Sequence, residues 1–136
     1  MKNFKVLLVA VIAVLGSASV FAQSTAKPKI IAVVNTADWC SVCKNNGQRA
    51  MGALMENNKD GIVQFVMNDI TSAETTKKSQ AELDKVGIAP AMKNYKASGV
   101  VYFFDATSKA PLTQVTVANS NEELAYVIGE VKKSAK

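Results

Sequence analysis

The sequence predicts an α/β fold, a four-stranded mixed β-sheet with helices on both faces, and three observations carry that expectation. Ile30-Ile31-Ala32-Val33-Val34 and Val100-Val101-Tyr102-Phe103-Phe104 are apolar runs without alternation, the pattern of strands buried on both faces. A strand, a helix and a second strand follow one another between residues 30 and 67, which implies a parallel pair joined by a crossover. Two later segments open on capping residues and continue as helices.

Gln23 to Pro28 is polar, contains a proline, and reads as a disordered lead-in to one domain spanning 29–136. After the first strand, Asn35 to Trp39 delivers the chain to a helix that starts at Ser41. Its apolar positions Val42, Ala50, Met51, Leu54 and Met55 recur at helical spacing. Gly47 and Gly52 weaken that helix, and Asn57-Asn58-Lys59-Asp60-Gly61 stops it. Ile62 to Met67 is the second strand. Thr71-Ser72-Ala73-Glu74 fits a capping box for a polar helix reaching about Val86, with Gly87 as its stop. Pro90 suits the first residue of a short helix carrying Ala91, Met92 and Tyr95. Turn residues from Asp105 to Pro111 follow the central strand, and Leu112 to Val117 returns as an antiparallel edge strand. Ser120-Asn121-Glu122-Glu123 is a second capping box, opening a helix whose Leu124, Val127, Ile128 and Val131 form one apolar stripe above Lys132 and Lys133.

The chemistry gathers in Ala37-Asp38-Trp39-Cys40-Ser41-Val42-Cys43-Lys44, which holds the only two cysteines of the chain. At a helix start this spacing brings both side chains to the same side, where they can close a small disulfide. Unpaired N–H groups and the positive end of the helix dipole favour a thiolate there. Cys40 is therefore expected to attack and Cys43, one turn deeper, to resolve. Trp39 flanks the nucleophile with apolar surface, while Asp38 and Lys44 pull the local potential in opposite directions. Such a bond closes almost no loop, so it gains little as a structural staple.

These residues resemble the thioredoxin-like family, whose pattern is Ala-x-Trp-Cys-x-x-Cys-Lys between a buried strand and a helix. Ala37, Trp39, Cys40, Cys43 and Lys44 carry the match, and the downstream order of elements agrees with it. The resemblance implies a thioredoxin-like fold and thiol-disulfide exchange. Three positions depart from the family. The cis-proline that usually precedes the central antiparallel strand is missing, since Ser98-Gly99 stands before Val100 and Pro90 lies much too early. Either Gly99 supplies the unusual backbone conformation, or the peptide groove is absent. Val34 occupies the position six before Cys40 where the family often buries an acid, so either water or Asp38 assists Cys43 or the second step is slow. Ser41-Val42 replaces the Gly-Pro of cytosolic thioredoxins, and reduction potential depends on that pair.

At the amino end, Lys2 and Lys5 precede an uncharged apolar run, Val6 to Leu15, then the small residues Gly16 to Ser19 and Val20-Phe21-Ala22, whose side chains a signal peptidase accepts. Residues 1–22 read as a secretory signal peptide cleaved after Ala22, which places the protein in a periplasm or outside the cell. The rival reading is an uncleaved anchor, for which the whole uncharged stretch to Ala22 lies at the short end of the roughly 17 to 25 residues that span a bilayer. Of 136 residues, 16 are basic and 11 acidic, and the excess is scattered without interleaved aromatics. Solvated helix faces explain it better than a nucleic-acid surface. With no histidine anywhere, Cys-His hydrolases, mixed Cys/His zinc sites and Cys-x-x-Cys-His haem attachment are excluded.

The sequence thus leads to an exported thiol-disulfide oxidoreductase with Cys40 and Cys43 as catalytic pair, flanked by Trp39, Asp38, Ser41, Val42, Lys44 and Gly99. It implies no cofactor and no metal. Expected partners are protein disulfides or dithiols and a membrane electron-transfer protein, with the chain itself a monomer. The alternative is a thioredoxin-fold module that binds a partner, or handles Cu(I), without redox turnover. For copper, Met51, Met55, Met67 and Met92 offer thioethers, although methionine at helical spacing is usually core filler.

Overall fold

A computed structural model describes residues 27–135. The expected leader, its cleavage after Ala22, and the lead-in as far as residue 26 lie outside the described residues. The elements run β1 (Ile30–Thr36), α1 (Ser41–Glu56), β2 (Val63–Asp69), α2 (Ala73–Lys85), α3 (Ala89–Met92), β3 (Val100–Asp105), β4 (Pro111–Thr116) and α4 (Asn121–Ser134). One four-stranded sheet has the order β2-β1-β3-β4. β1 pairs with β2 in parallel and with β3 antiparallel, and β4 closes the other edge antiparallel to β3. This is the expected four-stranded mixed sheet with both faces covered.

β1 and β3 are central and lack alternation because both faces of the sheet are covered. Ile30, Ala32, Val34 and Phe103 face a core completed by Leu54 of α1 and Leu124, Ile128 and Val131 of α4. Ile31, Val33, Tyr102 and Phe104 face the opposite core with Leu83, Ile88 and Met92. Neither α1 glycine interrupts its helix, and a Cβ at Gly47 or Gly52 would meet nothing within 4 Å.

Several expectations shift. The α2 cap is Ser72 with Thr75, one residue later than a Thr71 to Glu74 box. Thr71 is already committed: its hydroxyl accepts from Asp38 N–H at 2.9 Å and its own N–H donates to Asp69 Oδ1 at 2.9 Å. Glu74 pairs instead with Lys78 on the surface. α3 begins at Ala89 rather than Pro90 and ends before Tyr95, whose ring packs on Tyr102 and Phe104 with centroids 4.9 and 5.4 Å away. Met92 is buried and Met51 packs against the α1 and α4 core, but Met55 and Met67 are exposed, so only half of that set fills core. The Ser120 and Glu123 box stands as expected. Among the described residues, no helix is long and apolar enough to cross a membrane.

Loop carboxylates fasten the ends of the sheet. Asp105 accepts from the N–H groups of Ser108 at 2.7 Å and Thr107 at 2.9 Å, and the Ser108 bond chiefly holds its carboxyl below the usual carboxylate range. Asp60 is likewise lowered, first by its hydrogen bond from Lys132 of α4 at 2.8 Å. A carboxyl depressed on folding adds stability above its unfolded pKa and loses it as pH falls through the folded value. The melting temperature is therefore expected to hold from neutral pH to about 5 and to fall below about 4, in the carboxylate range. Asp105→Ala should lower it at pH 7 and flatten that acid limb; an unchanged limb contradicts this role.

Candidate active site

Burial of β1 on both faces fixes where the chain emerges, and at its carboxyl end Ala37 to Trp39 turns it directly into α1. Cys40 is the N-cap of that helix. Its Sγ accepts from Cys43 N–H at 3.2 Å, a bond that satisfies one of the donors left open at a helix start. Cys40 and Cys43 are joined by a disulfide with Cα atoms 5.3 Å apart. Together with Ala37 they form a small buried cluster against Ile70. Exposure does not rank the two sulfurs as outer and deeper, since Cys40 is 8% and Cys43 9% exposed. Their neighbours do differ. Trp39 at 61% and Val42 at 40% exposure make an apolar rim beside the bond, and Ser41 is exposed between the cysteines.

On another side lies a hollow of about 340 Å³ lined by Cys43, Asp38, Lys44, Asp69 and Thr71 among others. Asp38 and Lys44 thus share it, and Asp69 joins them as a residue that sequence reasoning missed. The Asp69 carboxyl is held below its ordinary range, chiefly by the Thr71 hydroxyl and then by Thr71 N–H. The register of β2 beside β1 sets Asp69 against Thr36, so parallel pairing alone was a signal that the residues after Asn68 reach the cysteines. Val34 is 3% exposed within the α1 and α4 core, so the polar surroundings of Cys43 come from this hollow and not from beneath the strand.

Gly99 closes the third side. Its φ is +72°, in the left-handed region that glycine adopts without strain, and no peptide bond among the described residues is cis. A Cβ built there would lie 3.4 Å from Val42 Cγ1 and 3.6 Å from each sulfur. Its N–H donates to the Asn35 carbonyl at 2.8 Å, and its carbonyl accepts from Val117 N–H at 2.9 Å and from the Thr116 hydroxyl at 3.2 Å. The residue is thus stitched between β1 and the end of β4 and pressed against the disulfide. Gly99 therefore combines a left-handed backbone beside the sulfurs with N–H and carbonyl groups both bonded inside the sheet.

No group of three or more His, Cys, Asp or Glu side chains among the described residues is placed to hold a metal ion. The chain superposes on the crystal structure of Trxlp from Edwardsiella tarda EIB202 with a TM-score of 0.50 at 16% identity, over 83% of this chain and 94% of that one. It also aligns with the oxidised thioredoxin from Plasmodium falciparum at TM-score 0.46 and 18% identity, over 80% and 84% of the two chains. A secreted Mycobacterium tuberculosis disulfide oxidoreductase, described as homologous to E. coli DsbE, aligns at 0.46 and 17%, over 75% and 81%. No family model matches the chain, and no curated protein matches it in sequence. Fold and site together define a thioredoxin-fold protein with a Cys-x-x-Cys disulfide at the start of α1.

Gly99→Ala places a side chain on a left-handed backbone and should cost about 1 to 2 kcal/mol. Gly87→Ala is the matched control, because Gly87 has φ +70° but has only the Lys109 side chain within 4 Å of its built Cβ. Both variants should unfold at lower denaturant, while only Gly99→Ala should change the rate at which dithiothreitol opens the disulfide. Equal rates in the two would show that Gly99 does not act on the sulfurs.

Proposed function

We propose that the protein is an exported thiol-disulfide oxidoreductase in which Cys40 attacks and Cys43 resolves. The observation that carries this reading is the Cys40–Cys43 bond at the first turn of α1, with the Cys43 N–H directed at Cys40 Sγ. Negative charge on Cys40 is stabilised by that N–H and by the helix dipole. Around Cys43, Asp38 and Asp69 bring two carboxylates against the one ammonium of Lys44, which weighs against a second thiolate in the same place.

In the reducing direction the Cys40 thiolate attacks one sulfur of a substrate disulfide and expels the other as a thiolate, which takes up a proton. Cys43 then loses its proton, attacks Cys40 Sγ and expels the second substrate sulfur. Two electrons pass from the dithiol to the substrate, and the Cys40–Cys43 bond forms. The hollow offers the Asp38 carboxylate and water as acceptors for the Cys43 proton, while the Asp69 carboxylate, held ionised by Thr71, contributes charge. The reverse sequence oxidises a substrate dithiol. Trp39 and Val42 supply apolar surface for a protein substrate in an envelope compartment, and a membrane electron-transfer protein regenerates the pair. The chain works as a monomer, and the exchange needs no cofactor.

One observation favours a second reading, a binding module whose disulfide does not turn over. Both backbone groups of Gly99 are consumed within the sheet, so an extended substrate finds no hydrogen bond at that residue. Copper handling has less support, because Met92 is buried in the core on the α2 and α3 side of the sheet and Met51 packs on the opposite core.

Reduction of a model protein disulfide separates these readings. Cys40→Ser should abolish it, with a loss of at least about a hundredfold, the scale expected for removing a nucleophile. Cys43→Ser should accumulate a mixed disulfide visible on a non-reducing gel. Full activity in Cys40→Ser removes the oxidoreductase reading, and an unreactive pair in the reduced wild-type protein favours the binding module. Export has its own check: mass spectrometry of the cell-envelope fraction should find a chain beginning at Gln23. A full-length chain confined to the cytosol contradicts it.

A further inference from the structure

Away from the disulfide, a cleft of about 570 Å³ opens between α2 and the segment from Ala89 to Lys96, at the carboxyl ends of β1 and β2. Its floor is polar. Asn35 and Asn68 are 1% and 8% exposed, and they are linked: Asn68 Nδ2 donates to Asn35 Oδ1 at 2.8 Å, and Asn35 Nδ2 donates to the Tyr95 carbonyl at 2.9 Å. The direction of the chain is set by the Tyr95 carbonyl, which can only accept. Asn35 must then offer its amide nitrogen to Tyr95 and its oxygen to Asn68. That leaves Asn68 Oδ1 as the terminal acceptor, without a protein donor among the described residues. Hydrogen bonds in series polarise one another, so the terminal oxygen is a strengthened acceptor.

An acceptor that the solvent reaches is satisfied by water until a ligand donor takes its place. Among the described residues no fully enclosed side-chain oxygen or nitrogen lacks a partner, so Asn68 Oδ1 is reachable, and the cleft that Asn68 lines is its opening. Apolar walls come from Leu83, Met92 and Tyr95. At the mouth stand Lys93 and Lys96, neither in a salt bridge among the described residues, against one carboxylate, Asp84, which accepts from Gln80 Nε2 at 3.2 Å. The volume lies within the range of small-molecule sites. Walls, floor and mouth thus ask for three different things in one molecule.

We propose that this cleft binds a small organic anion with an apolar body, carrying an N–H or O–H donor for Asn68 Oδ1 and an acidic group for Lys93 and Lys96. The site does not depend on disulfide turnover, although it adjoins the redox centre. Ile70 lines the cleft and also packs on the cysteine cluster, and the Asn35 carbonyl that holds Gly99 belongs to the cleft's floor residue.

The test is a titration of the ¹⁵N-labelled oxidised protein with three probes. Indole-3-acetate has all three features, 1-naphthaleneacetate lacks the donor, and indole-3-acetamide lacks the charge. Indole-3-acetate should shift the side-chain amide signals of Asn68 and Asn35, and each of the other probes should bind about fivefold or more weakly, the scale of one lost hydrogen bond or ion contact. Asn68→Ala and the surface double variant Lys93→Ala/Lys96→Ala should each weaken indole-3-acetate by a similar factor. No shift at Asn68 up to millimolar probe, or equal binding of all three probes, overturns the proposal. The probe comparison on the wild-type protein stands even if Asn68→Ala fails to fold.

Discussion

Asn35 is the residue on which the working end of this molecule hangs. Its backbone carbonyl, at the end of the central strand, takes the Gly99 N–H at 2.8 Å and so brings a left-handed residue against both sulfurs. Its side chain accepts from Asn68 and donates to the Tyr95 carbonyl, tying β2 and the α3 segment to the same point. A buried amide whose nitrogen and oxygen are both bonded is costly to disturb and admits few alternative arrangements. One residue thereby fixes the strand ends, the glycine beside the disulfide, and the floor of the adjoining cleft.

The chemistry follows from what such rigidity surrounds. A helix beginning at the end of a fully buried strand cannot wander, so its first-turn donors stay directed at Cys40. The two cysteines are equally buried, yet their surroundings are unlike: a capping N–H and an apolar rim for Cys40, a hollow with two carboxylates for Cys43. That contrast, rather than exposure, is what supports separate roles in the proposed exchange. Gly99 adds a backbone wall at 3.6 Å from each sulfur to a built Cβ, close enough that any side chain there would alter access.

Much of this was legible in the chain itself. Unalternating runs at Ile30 to Val34 and Val100 to Phe104 reported two-sided burial, because period and burial are the same fact seen twice. Ser120 and Glu123 announced α4 through local chemistry alone. The position of the cysteines at a helix start, and of Gly99 as the odd residue before β3, were likewise readable. What could not be read depends on contacts between distant segments. Thr71 is a capping residue by type, but Asp38, 33 residues earlier, claims its hydroxyl, and the cap moves to Ser72. Asp69 and Ile70 reach the site only because β2 lies parallel beside β1. Nothing local marked Asn35 as more than a strand-end asparagine, since its partners lie 33 and 60 positions away.

Reversible exchange with glutathione addresses the central idea most directly: that a bond held at the junction of β1 and α1 opens and closes while the fold around it stays intact. Poised against mixtures of reduced and oxidised glutathione, the protein should pass through one two-electron transition, identical from either direction. Far-ultraviolet circular dichroism should stay constant across it. A bond that yields only after the protein unfolds, or gives different curves in the two directions, would mark Cys40–Cys43 as a structural link and contradict the redox role.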